Sequence, residues 1–151
     1  MRALIDTNVL LRSHDESDAR HAECTRAIDI LKEQANRLYV CAQVLVEFWV
    51  VSTRPRNVNG MGLSAEQAKR ELTDIRNAFM CLPEPPDMAS RWFETVAAYS
   101  ILGKPAHDAR LVALMLAHNV TRLLTLNPGD FTRYQEIAPI TPHEILQQKS
   151  V

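Results

Sequence analysis

The sequence predicts an α/β fold, arranged as a three-layer α/β/α sandwich with a mostly parallel, twisted sheet of four to five strands. Short apolar runs alternate along the chain with longer segments of helical periodicity, and this alternation is typical of strand–helix–strand units. Connections of this kind are right-handed and cover both faces of a parallel sheet with helices. The length of 151 residues is that of one ordinary domain.

The first half of the chain contains two short apolar runs that predict strands and longer segments that predict helices. The strands are at 3–5 and 38–40, and the helical segments are near 10–11 and at 18–34, 43–53 and 64–78. The run at 43–53 is apolar throughout and fits either element, but its length favours a helix. Ser64 and Gln67 have the spacing of a capping box, which marks the start of the last of these helices. A loop with Pro, Asn and Gly precedes it at 54–62.

The second half repeats the alternation. The strands are at 79–82, 122–126 and 137–140, and the helical segments run from 85–87 to about 103, over 108–118 and over 142–147. Two prolines and an aspartate at 85–87 are residues that a helix N-terminus favours. Residues 127–129 (NPG) predict a tight turn after the fourth strand.

Composition narrows the class of protein. The net charge of −1 is not the basic excess of many nucleic-acid-binding domains, although local patches matter more than the sum. Three widely spaced cysteines and five histidines without paired spacing predict neither a disulfide framework nor a zinc site. The apolar runs are too short to cross a bilayer, and residues 1–11 lack the features of a signal peptide. We therefore expect a cytoplasmic protein with no membrane association.

Two aspartates follow predicted strands. Asp6 comes directly after the first strand, and Asp130 follows the strand 122–126 through the tight turn. Residues at the carboxyl ends of parallel strands face the crevice in which open α/β sheets bind ligands. Each aspartate has an ordinary alternative role, because Asp6 suits a helix N-cap and Asp130 suits a turn.

Two further acids belong to predicted helices. Glu47 interrupts the apolar run VLVEFWVV, and no Lys or Arg stands three or four residues away from it. A buried ionised carboxylate at this place is costly without a partner. The alternatives to a functional role are a buried ion pair, a bond to Gln43 one turn back or a tilt towards solvent. Asp108 begins the helix 108–118, where capping is the alternative.

Four carboxylates that converge at one end of a sheet repel one another, and a divalent cation removes this conflict. Hard oxygen ligands suit Mg²⁺, with Mn²⁺ as the alternative. Mg²⁺ takes few carboxylates and keeps bound water for a substrate phosphate. The acids therefore predict a Mg²⁺ site.

Four blocks of the sequence, LIDTNVLL, VLVEF, HDARLVAL and TLNPGDF, resemble in their order and spacing the PIN-domain nucleases. The whole pattern is most similar to the VapC-type toxins of prokaryotic toxin–antitoxin pairs, over about residues 2–145. The resemblance implies one PIN-like nuclease domain at 1–147, with a tail at 148–151. It also implies a metal-dependent endoribonuclease that hydrolyses RNA phosphodiester bonds, a cognate antitoxin protein as partner and a homodimer.

The resemblance implies a role for each acid. Asp6, Glu47 and Asp108 are the central catalytic acids, and Asp130 is the fourth. We expect Asp6 and Asp108 to be the primary metal ligands and Asp130 to complete the shell. Glu47 either binds a second ion or acts as the base on the attacking water.

Two neighbouring residues complete the expected site. Thr7 stands where the family often has a small hydroxyl residue that supports the acids. Asn127 stands where many members have another aspartate, and this departure leaves open whether one or two metal ions bind.

RNA bound beside an acidic site needs cations elsewhere. The candidates for contacts with the RNA backbone are Arg54, Arg56, Arg110 and Arg133. Trp49 and Trp92 offer stacking surfaces, although their apolar neighbourhoods favour the core, as for Phe48, Phe79 and Phe93. A non-catalytic RNA- or protein-binding module on the same fold is the alternative function.

Overall fold

The computed structural model describes residues 1–148, which form one five-stranded sheet with flanking helices. The strands are β1 (Arg2–Ile5), β2 (Arg37–Cys41), β3 (Met80–Leu82), β4 (Arg122–Leu124) and β5 (Ala138–Ile140). All neighbouring strands are parallel, in the spatial order β3-β2-β1-β4-β5. In the central register, Ala3 of β1 pairs with Leu38 on one side and with Arg122 on the other.

Seven α-helices flank this sheet within residues 1–148. They are α1 (Thr7–Ser13), α2 (His21–Glu33), α3 (Ala42–Thr53), α4 (Ala65–Ala78), α5 (Met88–Ala98), α6 (Ala106–Ala117) and α7 (Pro142–Gln148). Successive contacts join α4, α3, α1, α2 and α7 into one layer, whereas α5 packs on α6. The chain moves outwards from β1 to β3 and then returns to β4, so right-handed crossovers place the two groups on opposite faces. The predicted three-layer α/β/α sandwich is confirmed.

Strand β1 lies at the centre of the core. Ala3, Leu4 and Ile5 are completely buried, because a central parallel strand is covered by helices on both faces. Helix α6 lies on the other face of the sheet, and its side chains Val112 and Leu114 are also completely buried. The first acid of the chain thus follows a strand that is fixed on all sides.

The capping box predicted at the start of α4 is confirmed. The Gln67 N–H donates to Ser64 Oγ at 3.1 Å, and the Ser64 N–H donates to Gln67 Oε1 at 2.9 Å. Both groups are helix-end donors that would otherwise lack an intrahelical partner. Within residues 1–148, no helix has the length and apolar content that a membrane span requires.

Several predicted boundaries differ from the structure. Helix α5 ends at Ala98 instead of near Gly103, because Ser100 and Gly103 adopt positive φ angles of 50° and 71° that interrupt a right-handed helix. Strand β4 ends at Leu124, and a short 3₁₀ helix at Pro128–Phe131 replaces the simple turn. The predicted tail begins at the last residue of α7, and residues 149–151 lie outside the described residues.

Core positions were predicted for five aromatic residues, and this prediction was wrong for two of them. Phe48 and Phe79 are buried, whereas Trp49 is 36% exposed and Phe93 is 66% exposed. Helix α3 is apolar around most of its circumference but only one side contacts the core, so Val46 and Val50 are also exposed. An apolar run of this length therefore did not imply a fully buried helix.

The sheet has one topological switch point, between β1 and β4. From β1 the chain moves towards one edge of the sheet through β2 and β3, and then crosses back to β4 on the other side of β1. The connections after these two strands therefore run to opposite faces, which leaves a crevice beyond their carboxyl ends. Asp6 and the segment from Thr125 to Asp130 follow these two strands.

Candidate active site

The Asp6 carboxylate lies at the carboxyl end of β1, where it also caps α1. The Thr7 N–H donates to Asp6 Oδ1 at 2.8 Å, and the Thr125 hydroxyl donates to Asp6 Oδ2 at 2.7 Å. The Asp6 N–H donates to the Leu124 carbonyl at 2.9 Å, so this residue joins β1 to the end of β4. The capping interpretation is correct, but Oδ1 accepts only this one hydrogen bond from residues 1–148 and keeps a lone pair for a ligand.

Sequence reasoning did not identify the part that Thr125 and Asn8 play in this site. Thr125 is completely buried directly after β4, and its hydroxyl donates to Asp6 while accepting from the Asn127 N–H at 3.1 Å. The Asn8 side-chain amide donates to Asp6 Oδ2 at 3.2 Å, and its oxygen accepts from the Leu126 N–H at 3.1 Å. The available signal was a polar residue at the end of an apolar strand, in TLNPGDF.

Glu47 faces the same crevice from the second turn of α3. The Thr7 hydroxyl donates to Glu47 Oε2 at 2.9 Å, which fixes one oxygen of the carboxylate. The side chain is exposed, so the expectation of an acid stranded in an apolar interior was wrong. Its apolar neighbours along the helix are partly exposed themselves, and this relieves the desolvation that the sequence suggested.

The structure brings all four predicted acids around one cleft. A cavity of about 370 Å³ is lined by Asp6, Glu47, Asp108 and Asp130, and by Thr7, Asn8 and Asn127 among others. Asp108 lies in the first turn of α6 and Asp130 in the 3₁₀ helix after β4. A neighbouring cavity of about 430 Å³ is lined by three of these acids together with Lys104 and His107.

Burial and neighbouring negative charge raise the pKa values of two of the acids. Burial raises the pKa of Asp6 to about 6 against the lowering effect of the Thr125 and Thr7 hydrogen bonds, and the charges of Asp108 and Glu47 raise it further. Burial raises the pKa of Asp108 as well, with the charges of Asp130 and Glu47 acting in the same direction. Carboxyl groups with raised pKa values around one cleft are typical of functional sites.

The donor set suits a hard divalent cation. Every candidate ligand is an oxygen atom, and none of the four acids forms an ion pair with a residue of the described segment 1–148. As they stand, no three His, Cys, Asp or Glu side chains of that segment are placed to hold one ion together. This arrangement fits Mg²⁺, which commonly uses one or two carboxylates and keeps water in its other positions.

The predicted RNA-binding arginines divide into two groups. Arg54 lines the acidic cleft, and the charge of Arg133 lowers the pKa of Asp108. Arg56 instead pairs with Asp15 at 3.4 Å. Arg110 pairs with Glu84 and lines a different cavity from the acidic cleft. Sequence spacing alone did not distinguish paired from available cations, because the pairs join distant parts of the chain.

Comparison with known families gives one match that spans most of the chain. The PIN domain model matches residues 3–137. A comparison with curated protein sequences gives no significant match.

Several solved structures share this fold at low sequence identity. VapBC2 from Rickettsia felis, crystallised with a DNA fragment of its promoter, is 15% identical, covers 93% of this chain and 98% of its own, and has a TM-score of 0.71. A toxin–antitoxin complex from Klebsiella pneumoniae is 22% identical, with coverage of 94% and 98% and a TM-score of 0.64. VapC20 from Mycobacterium tuberculosis, a sarcin–ricin loop cleaving toxin, is 17% identical, with coverage of 80% and 86% and a TM-score of 0.56.

The raised pKa of Asp6 predicts a defined pH dependence of stability in the absence of metal. The folded chain holds the Asp6 proton up to about pH 6, whereas the unfolded chain releases it near the ordinary value of 3.8. The folded state thus binds more protons between these values, so the free energy of unfolding falls as the pH rises through them. A pKa difference of this size corresponds to roughly 3 kcal/mol at most.

Urea unfolding in EDTA, at several pH values from about 4 to about 8, measures this dependence. We expect Asp6→Asn to remove the falling contribution, because the amide does not ionise in this range. Asp29→Asn on the exposed side of α2 is the matched control and should follow the wild type. Stability curves for wild type and Asp6→Asn that run parallel over the whole range would contradict the assignment.

Proposed function

The chain belongs to the PIN-domain family, and we propose that it is a Mg²⁺-dependent endoribonuclease, the toxin of a toxin–antitoxin pair. The observation that carries this proposal is the meeting of Asp6, Glu47, Asp108 and Asp130 around one cleft at the topological switch point. Fold alone does not fix function. A cluster of oxygen donors that form no ion pair within residues 1–148 supports the proposal of a metal-assisted reaction at phosphate.

The choice of RNA and of a toxin role is supported by the structural relatives. VapC20 is a sarcin–ricin loop cleaving toxin, and the Klebsiella pneumoniae structure is a toxin–antitoxin complex. By analogy, the substrate of this chain is an RNA phosphodiester and its partner is an antitoxin protein. A homodimer and a cytoplasmic location remain predictions from the sequence.

The chain's own residues define how hydrolysis would proceed. When bound, Mg²⁺ neutralises charge on the phosphate and acidifies a water molecule. Asp6 and Asp108 are the donors proposed to hold it, and Thr7 and Thr125 fix the orientation of Asp6 through the bonds at 2.8 Å and 2.7 Å. Asp130 lies beside Asp108 and adds a further oxygen donor at the exposed side.

We propose Glu47 as the group that receives the proton of the attacking water. Its Oε2 is engaged by the Thr7 hydroxyl, which leaves Oε1 for the water that attacks phosphorus. As the new phosphorus–oxygen bond forms, the bond to the leaving ribose oxygen breaks and that oxygen takes up a proton from solvent. In this assignment Thr7 is a positioning residue that orients both Asp6 and Glu47.

Cations at the rim would hold the RNA backbone. Arg54 lines the acidic cleft and Lys104 lines the neighbouring cavity, so both are near the proposed phosphate position. Arg133 is close enough to affect the pKa of Asp108. Arg56 is held by Asp15, which makes it a weaker candidate than the sequence suggested.

An antitoxin would have an apolar surface to cover next to this cleft. Val46, Trp49 and Val50 are exposed on α3, and Val50 also lines the acidic cavity. A segment bound over these side chains would bury apolar area and close the cleft to RNA at the same time.

Removing either central aspartate should abolish cleavage. We expect Asp6→Asn and Asp108→Asn to reduce the rate of RNA cleavage in Mg²⁺ by at least about 100-fold, the scale of losing one essential catalytic group. Glu47→Gln should give a similar loss. The measurement is a single-turnover assay on a labelled RNA pool, with EDTA added in parallel.

Asp29→Asn is again the matched control and should cleave like the wild type. Cleavage that persists in EDTA or in Asp108→Asn would contradict the mechanism. RNA binding without cleavage by the wild type would instead identify the alternative, a non-catalytic binding module.

Arg54→Gln should weaken RNA binding across sequences without changing which bonds are cut. The affinity falls as the salt concentration rises, and removing one phosphate contact makes the slope of log affinity against log salt less steep by about 0.7 for single-stranded RNA. Filter binding of the Asp108→Asn protein at several salt concentrations provides the measurement. Arg70→Gln, an exposed arginine of α4 that pairs with Glu66, is the control. An unchanged slope would remove Arg54 from the RNA path.

A further inference from the structure

A third cavity, of about 490 Å³, lies between α5 and α6 beside the acidic site. Met88 and Trp92 from α5 give it an apolar wall, and Glu84 and Arg110 give it two charges of opposite sign. His107 lines both this cavity and the one around Asp108 and Asp130. Its volume falls in the range of small-molecule binding pockets.

The orientation of the Trp92 ring is fixed by a hydrogen bond and by packing. The Trp92 indole N–H donates to the Ala106 carbonyl at 2.8 Å, and the ring packs partly on the hydrophobic core. This bond ties α5 to the first residue of α6 and uses the single donor of the indole. The Trp92 ring is therefore a fixed, flat surface with no hydrogen-bond donor left for a bound ligand.

The charged wall is equally ordered. Arg110 donates to Glu84 and, through Nη1, to Gln43 Oε1 at 3.0 Å. Gln43 in turn donates to the His107 carbonyl at 2.8 Å. The guanidinium has five N–H groups, so these two bonds leave donors free, and the Glu84 carboxylate retains acceptor capacity. The cavity thus presents a carboxylate and a guanidinium side by side next to an aromatic ring.

Guanine is the nucleobase whose edges match this arrangement. It offers two adjacent acceptors, O6 and N7, to a guanidinium, and adjacent N1–H and N2–H donors to a carboxylate. Adenine and uracil have neither pair, and cytosine has two adjacent acceptors but no adjacent pair of donors. Unstacked bases of single-stranded RNA also bind on aromatic side chains.

Resting on the ribonuclease function proposed above, we propose that this cavity binds a guanine base of the RNA substrate, next to the phosphate that is cleaved. Trp92 stacks on the base, and Glu84 and Arg110 read its edges. Because His107 lines both this cavity and the neighbouring one that carries Glu47, Asp108 and Asp130, a base bound here would lie beside those acids. The pocket would select the cleavage site, whereas the acids perform the reaction.

Binding of free nucleosides tests this pocket without any cleavage. Guanosine is neutral, so its binding does not depend on a metal ion or on charge in the acidic cleft. The probe is the indole N–H resonance of Trp92 in ¹⁵N NMR spectra recorded in EDTA, assigned with Trp92→Phe. We expect guanosine to shift it and to bind at least about 10-fold more tightly than adenosine, cytidine or uridine.

Variants separate stacking from edge recognition. Trp92→Ala should weaken guanosine binding, followed by calorimetry, by about 10-fold or more, whereas Trp92→Phe keeps a ring and should recover most of the affinity. Glu84→Gln should reduce the preference for guanosine over adenosine. Phe93→Ala and Glu94→Gln change exposed neighbours on the same helix that do not line the cavity, and should leave binding unchanged. Thermal unfolding confirms that each variant is folded.

The outcomes distinguish this proposal from the ribonuclease proposal. Equal binding of all four nucleosides, or guanosine binding that survives both Trp92→Ala and Glu84→Gln, would overturn the pocket while leaving cleavage unaffected. A Trp92 resonance that responds to protein concentration but not to guanosine would identify an interface between copies and also overturn it. Guanosine binding by a protein that cleaves no RNA would support the pocket and contradict the ribonuclease.

Discussion

Burial of the Asp6 carboxylate close to other carboxylates is the constraint on which the site depends. Asp6 is held between β1 and β4 by hydrogen bonds from Thr7 and Thr125, yet burial and neighbouring charge still raise its pKa to about 6. Near neutral pH the ionised form of Asp6 is therefore unfavourable unless a cation binds beside it. The fold keeps the acids close at a cost in stability, which is the usual sign of a site maintained for binding or catalysis.

The architecture explains how such a site is held together. The buried strand β1 and the end of β4 meet at the switch point, and polar residues directly after them form a short network that includes Asn8 and Thr125. Helices α3 and α6 then bring Glu47 and Asp108 from opposite faces of the sheet. The acids are thus supplied by separate elements of the rigid scaffold: Asp6, Asp108 and Asp130 stand within a few residues of an element end, and Glu47 in the second turn of α3.

Sequence predicted the fold and the membership of the acidic cluster because both depend on local patterns. Strand–helix alternation and acids at strand ends can be seen in a single chain. Tertiary pairing cannot, and this is why Arg110 seemed free to bind phosphate and why Thr125 was missed. Glu47 lines the acidic cleft, but the burial for which the sequence singled it out is absent, because its side chain is exposed. The exposure of Trp49 has the same origin, since periodicity does not reveal which helix face lacks a neighbour.

Stabilisation of the folded chain by Mg²⁺ tests the central claim most directly. Binding to the folded state alone raises stability by RT ln(1 + [Mg²⁺]/Kd), about 2.7 kcal/mol at 100 times Kd, or roughly 5–10 °C in Tm for a chain of this size. Differential scanning calorimetry at pH 7.5 should show this rise for the wild type, and Asp6→Asn and Asp108→Asn should lose it. A wild-type Tm indifferent to Mg²⁺ and Mn²⁺, or one that rises equally in both variants, would contradict the account.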